Sequence, residues 1–182
     1  GTFLPSFRQY IPDQTIITGS FSKILAPGMR LGWIVAPPDI MEQVVIAKQA
    51  SDLHSNYLSQ RIAYEYLTST DIDAHIRKIQ EAYSRQSRLM QDLIQEQFPL
   101  SVKFTRPQGG MFIWLTLPDG ISSMEVFNAA IREEVAVLPG TPFYIDGGGD
   151  NTLRLNFSNA TDERIREGIE RLAKVIHTLG SR

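Results

Sequence analysis

One lysine in this chain stands out by the company it keeps. Lys23 lies within Gly19-Ser-Phe-Ser-Lys-Ile-Leu-Ala-Pro-Gly-Met-Arg-Leu-Gly-Trp33, preceded by two hydroxyls (Ser20, Ser22) and followed by a guanidinium (Arg30). An amine can form a Schiff base with an aldehyde. Hydroxyls and the planar fork of an arginine can grip a phosphate. Together the residue types suit a phosphorylated aldehyde. A free lysine has a pKa of about 10.4, so roughly one in 2,500 is neutral at pH 7. Desolvation or a neighbouring cation would have to lower that value for the amine to react readily. The bland reading is a solvated surface lysine, the usual fate of this residue type. The flanks argue otherwise. Thr15–Thr18 and Leu31–Ala36 are apolar, β-prone runs that read as short buried strands, and Pro37-Pro38 stops the second.

Ser20-Phe-Ser-Lys23, followed by Pro27-Gly-Met-Arg30-Leu-Gly32, resembles the lysine signature of fold-type I pyridoxal-phosphate aminotransferases of class I/II. The resemblance is strongest to the branch of 2-aminoadipate, kynurenine and other multi-substrate aminotransferases. Further landmarks follow in the same order: Asp52-Leu-His-Ser-Asn-Tyr-Leu-Ser-Gln60, Pro107-Gln-Gly-Gly-Met-Phe-Ile-Trp114, Leu138-Pro-Gly-Thr-Pro-Phe143 and Leu153-Arg-Leu-Asn-Phe157. A single such stretch is weak; five in sequence are specific.

The resemblance implies an α/β fold. It would comprise the edge part of a PLP-transferase large-domain sheet, long connecting helices and an α+β C-terminal small domain. Residues 1–54 would be the C-terminal part of the cofactor-binding large domain, 55–98 the helical connection and 99–182 the small domain. It implies pyridoxal 5'-phosphate as cofactor, a Schiff base at Lys23, and Lys23 as the base that moves a proton between the substrate Cα and the cofactor. Ser20, Ser22 and Arg30 would hold the phosphate, with Ser22 read equally well as a small turn residue. Arg154 would bind the substrate α-carboxylate. Amino-acid and 2-oxo-acid substrates and a homodimer are implied in the same way. Family members are considerably longer, so the chain resembles their C-terminal half. The stacking ring, the asparagine and tyrosine for the ring oxygen, and the aspartate for the ring nitrogen belong to the other half and have no counterpart here. Asp13 reads as turn chemistry. By the same token the isolated chain would bind the cofactor weakly.

Other readings stay open beside this one. The same fold serves as the effector domain of transcription regulators fused to a DNA-binding domain, and it serves lyases and other PLP enzymes. The Pro107–Trp114 stretch favours a free enzyme. Arg154 alternates against Leu153 and Leu155 in an apolar strand, which by itself would suggest a solvent-facing arginine. Gly109-Gly-Met-Phe112 resembles an element lining the substrate side and also reads as a hairpin start. His54, Ser55 and Asn56 resemble a stretch that reaches the other subunit's site, or else serve as caps and surface. Phe143 and Tyr144 read as aromatic core, with pocket walls as the alternative. Gly28 and Gly32 are expected to permit close backbone approach or tight turns.

Composition narrows the partners. The chain has 182 residues, 42% of them hydrophobic, a formal charge of −2 and no cysteine. Disulfides and thiol catalysis are excluded. Without a basic run, neither nucleic acid nor an anionic membrane is favoured. No stretch reaches the length of a membrane span, and no signal-peptide pattern opens the chain, which gives a cytoplasmic default. No zinc-type cluster, HExxH motif or serine triad is present, so no metal is expected.

The elements that must position these residues follow from punctuation and periodicity. Residues 1 to about 13 are expected to be irregular. The two strands around Lys23 would form the edge of a large mixed sheet. A helix should run from Asp39 to about Gln49, with Ile40 and Val44 on one face. Another, capped by Ser55 or Asn56, carries Leu58, Ile62 and Tyr66. After a break at Ser69–Asp71, a long helix carries Ile72, Ile76, Ile79, Tyr83, Met90 and Leu93 until Pro99. Strands are expected at 101–104, 111–117, 135–138 and 152–157. A capping box at Ser122 and Glu125 opens a helix burying Val126 or Phe127, Ala130 and Ile131. Thr161 caps the last helix, whose stripe is Ile165, Ile169, Leu172, Ile176 and Leu179. Asp146–Asp150 reads as a flexible turn.

Overall fold

Alternating and 3.6-period apolar patterns resolve into six strands and five α-helices in the computed structural model, which describes residues 4–181. The strands are β1 (Ile17–Ser20), β2 (Gly32–Val35), β3 (Lys103–Phe104), β4 (Phe112–Thr116), β5 (Leu138–Pro139) and β6 (Thr152–Asn156). The helices are α1 (Pro38–Ser51), α2 (Tyr57–Ser69), α3 (Ile72–Gln97), α4 (Ser123–Arg132) and α5 (Asp162–Gly180). The chain divides into two units, up to Arg77 and from Lys78, with the division inside α3.

In the first unit β1 and β2 form an antiparallel hairpin, with Ile17 opposite Val35 and Ser20 opposite Gly32. The expected large mixed sheet is represented among the described residues by this pair alone. The strands are also less buried than their composition suggests. Ile16, Trp33 and Val35 are exposed, and only Leu31 and Ala36 of the second run are buried. Before the hairpin, the expected irregular stretch forms two short 3-10 turns at Phe7–Gln9 and Pro12–Gln14, while its residues 1–3 lie outside the described residues. Helix α1 starts on Pro38, where a missing N–H costs nothing, and has no buried residue. Asn56 is the cap of α2, its Oδ1 accepting from the backbone N–H of Ser59 at 3.0 Å.

The second unit is a four-stranded antiparallel sheet, in the order β3-β4-β6-β5, with one face covered by helices. Its core is built from Ile113 and Leu115 of β4, Leu153 and Leu155 of β6, Met90, Leu93 and Ile94 of α3, Val126 and Ala130 of α4, and the α5 stripe Ile165, Ile169, Leu172 and Ile176. Strand alternation leaves Phe112, Trp114 and Arg154 on the other face, with Trp114 directly opposite Arg154. The capping box is present: Ser122 Oγ accepts from the Met124 N–H and Glu125 Oε2 from the Ser122 N–H.

Two expectations in this unit need correction. Ile131 is exposed rather than buried, since it falls on the outer side of the Val126–Ala130 stripe. Val135–Val137 are not a strand. Glu134 takes a left-handed backbone (φ 58°) and the Val135 N–H returns to the Ala130 carbonyl, so these residues complete the end of α4 and pairing begins only at Leu138.

Candidate active site

The register of the β1–β2 hairpin determines what the lysine segment can do. Pairing of Ser20 with Gly32, extended by the Phe21 N–H to the Leu31 carbonyl at 3.1 Å, closes the residues between them into one loop. Ser20, Ser22, Lys23 and Arg30 all stand on that loop or at its base. The turn that carries Lys23 is tightened by the Leu25 N–H to the Phe21 carbonyl at 2.8 Å. Ser20 Oγ accepts from the Ser22 backbone N–H at 3.1 Å, leaving its own O–H to donate outward. The two hydroxyl residues are therefore adjacent.

Arg30 occupies the left-handed region (φ 53°, ψ 37°), uncommon for a residue with a side chain. It ends the 3-10 turn Pro27–Met29 and donates from Nη1 to the Pro27 carbonyl at 3.3 Å. Among the described residues it makes no ion pair. Gly32 is required by close approach, since a Cβ there would sit 2.9 Å from the Gly19 carbonyl oxygen. Gly28, expected to permit close approach or a tight turn, faces open space and lies within the 3-10 turn Pro27–Met29. The burial expected of the flanking strands does not extend to Lys23. The side chain is exposed, although its neighbours Ser22 and Ile24 are half-buried.

One contact had no signal in the sequence. His75, early in α3, reaches the carbonyl of Ile24 with Nε2 at 3.1 Å. Ile24 is the residue after the lysine.

Arg154 in the second unit is held by aromatic faces. Its guanidinium carbon lies 4.0 Å from the ring centre of Phe112 and 4.6 Å from that of Phe143. Trp114 meets Phe143 edge-on at 5.5 Å and lies 6.2 Å from the Tyr144 ring. Phe143 and Tyr144 are thus exposed packing partners of the Arg154 face, not core residues. Gly140 makes room beneath them, since a Cβ there would come within 2.9 Å of the Trp114 ring. Arg154 itself is half-buried and, among the described residues, makes no ion pair. A guanidinium resting over aromatic faces still has N–H donors to offer a planar anion. Phe112 could have been placed here from its two-residue spacing to Trp114; Phe143, in a Pro-Phe turn, could not.

The other candidate residues make local contacts. His54 is exposed, with Nδ1 2.9 Å from the Ser55 carbonyl oxygen. Ser55 accepts from Lys48 Nζ at 3.3 Å. Gly109 and Gly110 lead into β4, with Gly110 at φ 79°.

The donor set of the first unit fits a phosphorylated aldehyde: an amine and an arginine on one loop, with two neighbouring hydroxyls at its base. That of the second unit fits a carboxylate. No group of acidic, histidine or cysteine side chains with metal-binding geometry occurs among the described residues.

Comparison with known proteins agrees with this chemistry. A model of the aminotransferase class I and II family matches residues 4–172. Aromatic-amino-acid aminotransferase 1 of Thermococcus litoralis is 45% identical over 163 residues, which cover 90% of this chain and 39% of that protein. The structure of LysN, the α-aminoadipate aminotransferase of Thermus thermophilus, complexed with N-(5'-phosphopyridoxyl)-L-leucine, superposes with a TM-score of 0.94 at 36% identity, over 100% of this chain and 47% of that one. The kynurenine aminotransferase of Pyrococcus horikoshii superposes with a TM-score of 0.85 at 44% identity, over 90% and 40% respectively. The chain spans about two-fifths of the length of the curated relatives it matches, 39% and 41% for the first two.

Proposed function

The chain belongs to the aminotransferase class I and II family, and on that footing we propose that the whole protein is a pyridoxal-phosphate-dependent aminotransferase, transferring an amino group between an L-amino acid and a 2-oxo acid. The observation that carries this reading is the closure of the Phe21–Leu31 loop by the Ser20–Gly32 pair, which gathers the amine, the hydroxyls and the guanidinium on one segment.

Lys23 would hold pyridoxal phosphate through its amine, and Ser20, Ser22 and Arg30 would receive the phosphate. When bound, the cofactor supplies an electron sink for negative charge at the substrate Cα. With the cofactor bound, Lys23 Nζ would be the group that moves the proton between the substrate Cα and the cofactor, as general base and then acid. Arg154 receives the substrate α-carboxylate on its open edge, and so orients the amino acid. In this reading residues 1–54 carry the cofactor lysine, 55–98 connect, and 99–182 bind the carboxylate. The protein works as a cytoplasmic homodimer on small-molecule substrates, without nucleic acid or membrane.

The test is amino transfer to 2-oxoglutarate by the full-length protein. Lys23→Ala should abolish it, while added alkylamine restores part of the proton transfer. Release of ammonia or pyruvate in place of a new amino acid would point to a lyase and overturn the proposal.

A further inference from the structure

The loop that carries Lys23 is joined to the rest of its unit in an unusual way. Its hydrogen bonds are internal (Leu25 to Phe21, Met29 to Ala26, Arg30 to Pro27) or close its base (Phe21 to Leu31, Ser22 to Ser20). Among the described residues one hydrogen bond ties it to another element, and that bond comes from His75, at the Ile24 carbonyl. We propose that His75 is a positioning residue for Lys23, acting through that carbonyl to fix the turn from which the amine projects. The inference rests on the reading of Lys23 given above.

The chemistry of the contact specifies the histidine. A carbonyl only accepts, so Nε2 carries the hydrogen and donates. The same donor is present in the charged ring, so the tie survives a change of protonation. The ring is also held in place. It is half-buried and meets Tyr66 of α2 edge-on at 6.0 Å and 80°. The backbone beneath it is anchored by Asp71, whose carbonyl accepts from the His75 N–H at 3.2 Å and whose Oδ1 caps Ala74 at 2.9 Å. The start of α3 is thus held on several sides, and the loop it reaches is partly exposed, with Lys23, Ala26–Gly28 and Arg30 in solvent. A reacting amine displaced by even an ångström loses rate steeply, so a single tie at the adjacent residue bears on the chemistry although it touches no reactant.

The experiment uses the full-length protein with pyridoxal phosphate as probe. Borohydride reduction at fixed short times, followed by peptide mapping, measures covalent capture at Lys23. Hydrogen exchange of residues 20–32 reports loop order independently of activity. His75→Ala should slow capture about tenfold, the loss of one hydrogen bond plus the freedom it releases, and should speed exchange in 20–32. His75→Gln, whose amide nitrogen reaches the place of Nε2, should restore both; His75→Asn, too short, should not. If His75→Ala fails to fold, the Gln–Asn contrast decides. Equal capture in wild type, Gln and Asn variants overturns the positioning role while leaving Lys23 as the cofactor lysine. Absence of capture at Lys23 in the wild type overturns the reading of Lys23, and the role of His75 with it.

Discussion

Phe143→Leu isolates the contribution of the aromatic clamp on Arg154. Leucine keeps an apolar side chain in the turn but has no ring quadrupole. The guanidinium lies 4.6 Å from the Phe143 ring centre and is half-buried, between the exposed regime of about 0.5–1 kcal/mol and the desolvated one of about 2. Loss of about 1 kcal/mol of preorganisation corresponds to roughly a fivefold rise in KM for the amino acid, with kcat little changed. Phe143 is 46% exposed, so the cost in folding stability is small, chiefly the edge-on pair with Trp114, about 0.5–1.5 kcal/mol. A double-mutant cycle separates the two effects. Arg154→Lys loses the planar fork and should raise KM by about ten- to a hundredfold, the value of charge-assisted hydrogen bonds. On that background Phe143→Leu should add roughly twofold or less. Steady-state kinetics of the four proteins with one amino acid is the assay. An equal effect of Phe143→Leu on both backgrounds would refute the claim that the ring acts through the guanidinium.

Two further outcomes follow from backbone and caps. Arg30→Ala and Arg30→Gly should both weaken pyridoxal phosphate binding by about tenfold or more in a spectrophotometric titration. They should differ in stability: glycine relieves the left-handed strain of about 1–2 kcal/mol at position 30 and should melt no lower than the alanine variant. Ser122→Ala removes the capping box of α4 and should cost about 1 kcal/mol in denaturant unfolding, with no change in KM.

The helices were legible because their punctuation is local. Asn56, Ser122 and Thr161 mark helix starts in the sequence and cap them in the structure. The core face of the second unit was partly readable: Leu153 and Leu155 flank Arg154 in β6 and α5 keeps its stripe, whereas β4 is apolar on both faces, and only its burial alternates, with Ile113 and Leu115 inward. Burial in the first unit was not. Strand composition reports what a segment could bury, and the β1–β2 hairpin leaves Trp33 and Val35 exposed among the described residues. Nor could a pattern of two or three and a half residues reveal contacts across long separations, such as His75 at Ile24 or Phe143 over Arg154. The segment 135–138 misled for a different reason. Its β-branched residues favour a strand, but the left-handed Glu134 turns them back onto α4.

The chain offers five lysines for covalent capture of the cofactor: Lys23, Lys48, Lys78, Lys103 and Lys174. Incubating the full-length protein with pyridoxal phosphate, reducing with borohydride to completion and sequencing the modified peptide by mass spectrometry identifies the reactive one. The account predicts a single phosphopyridoxyl adduct, on Lys23, lost in Lys23→Ala. An adduct on any other lysine of this chain, or capture undiminished in Lys23→Ala, would contradict it.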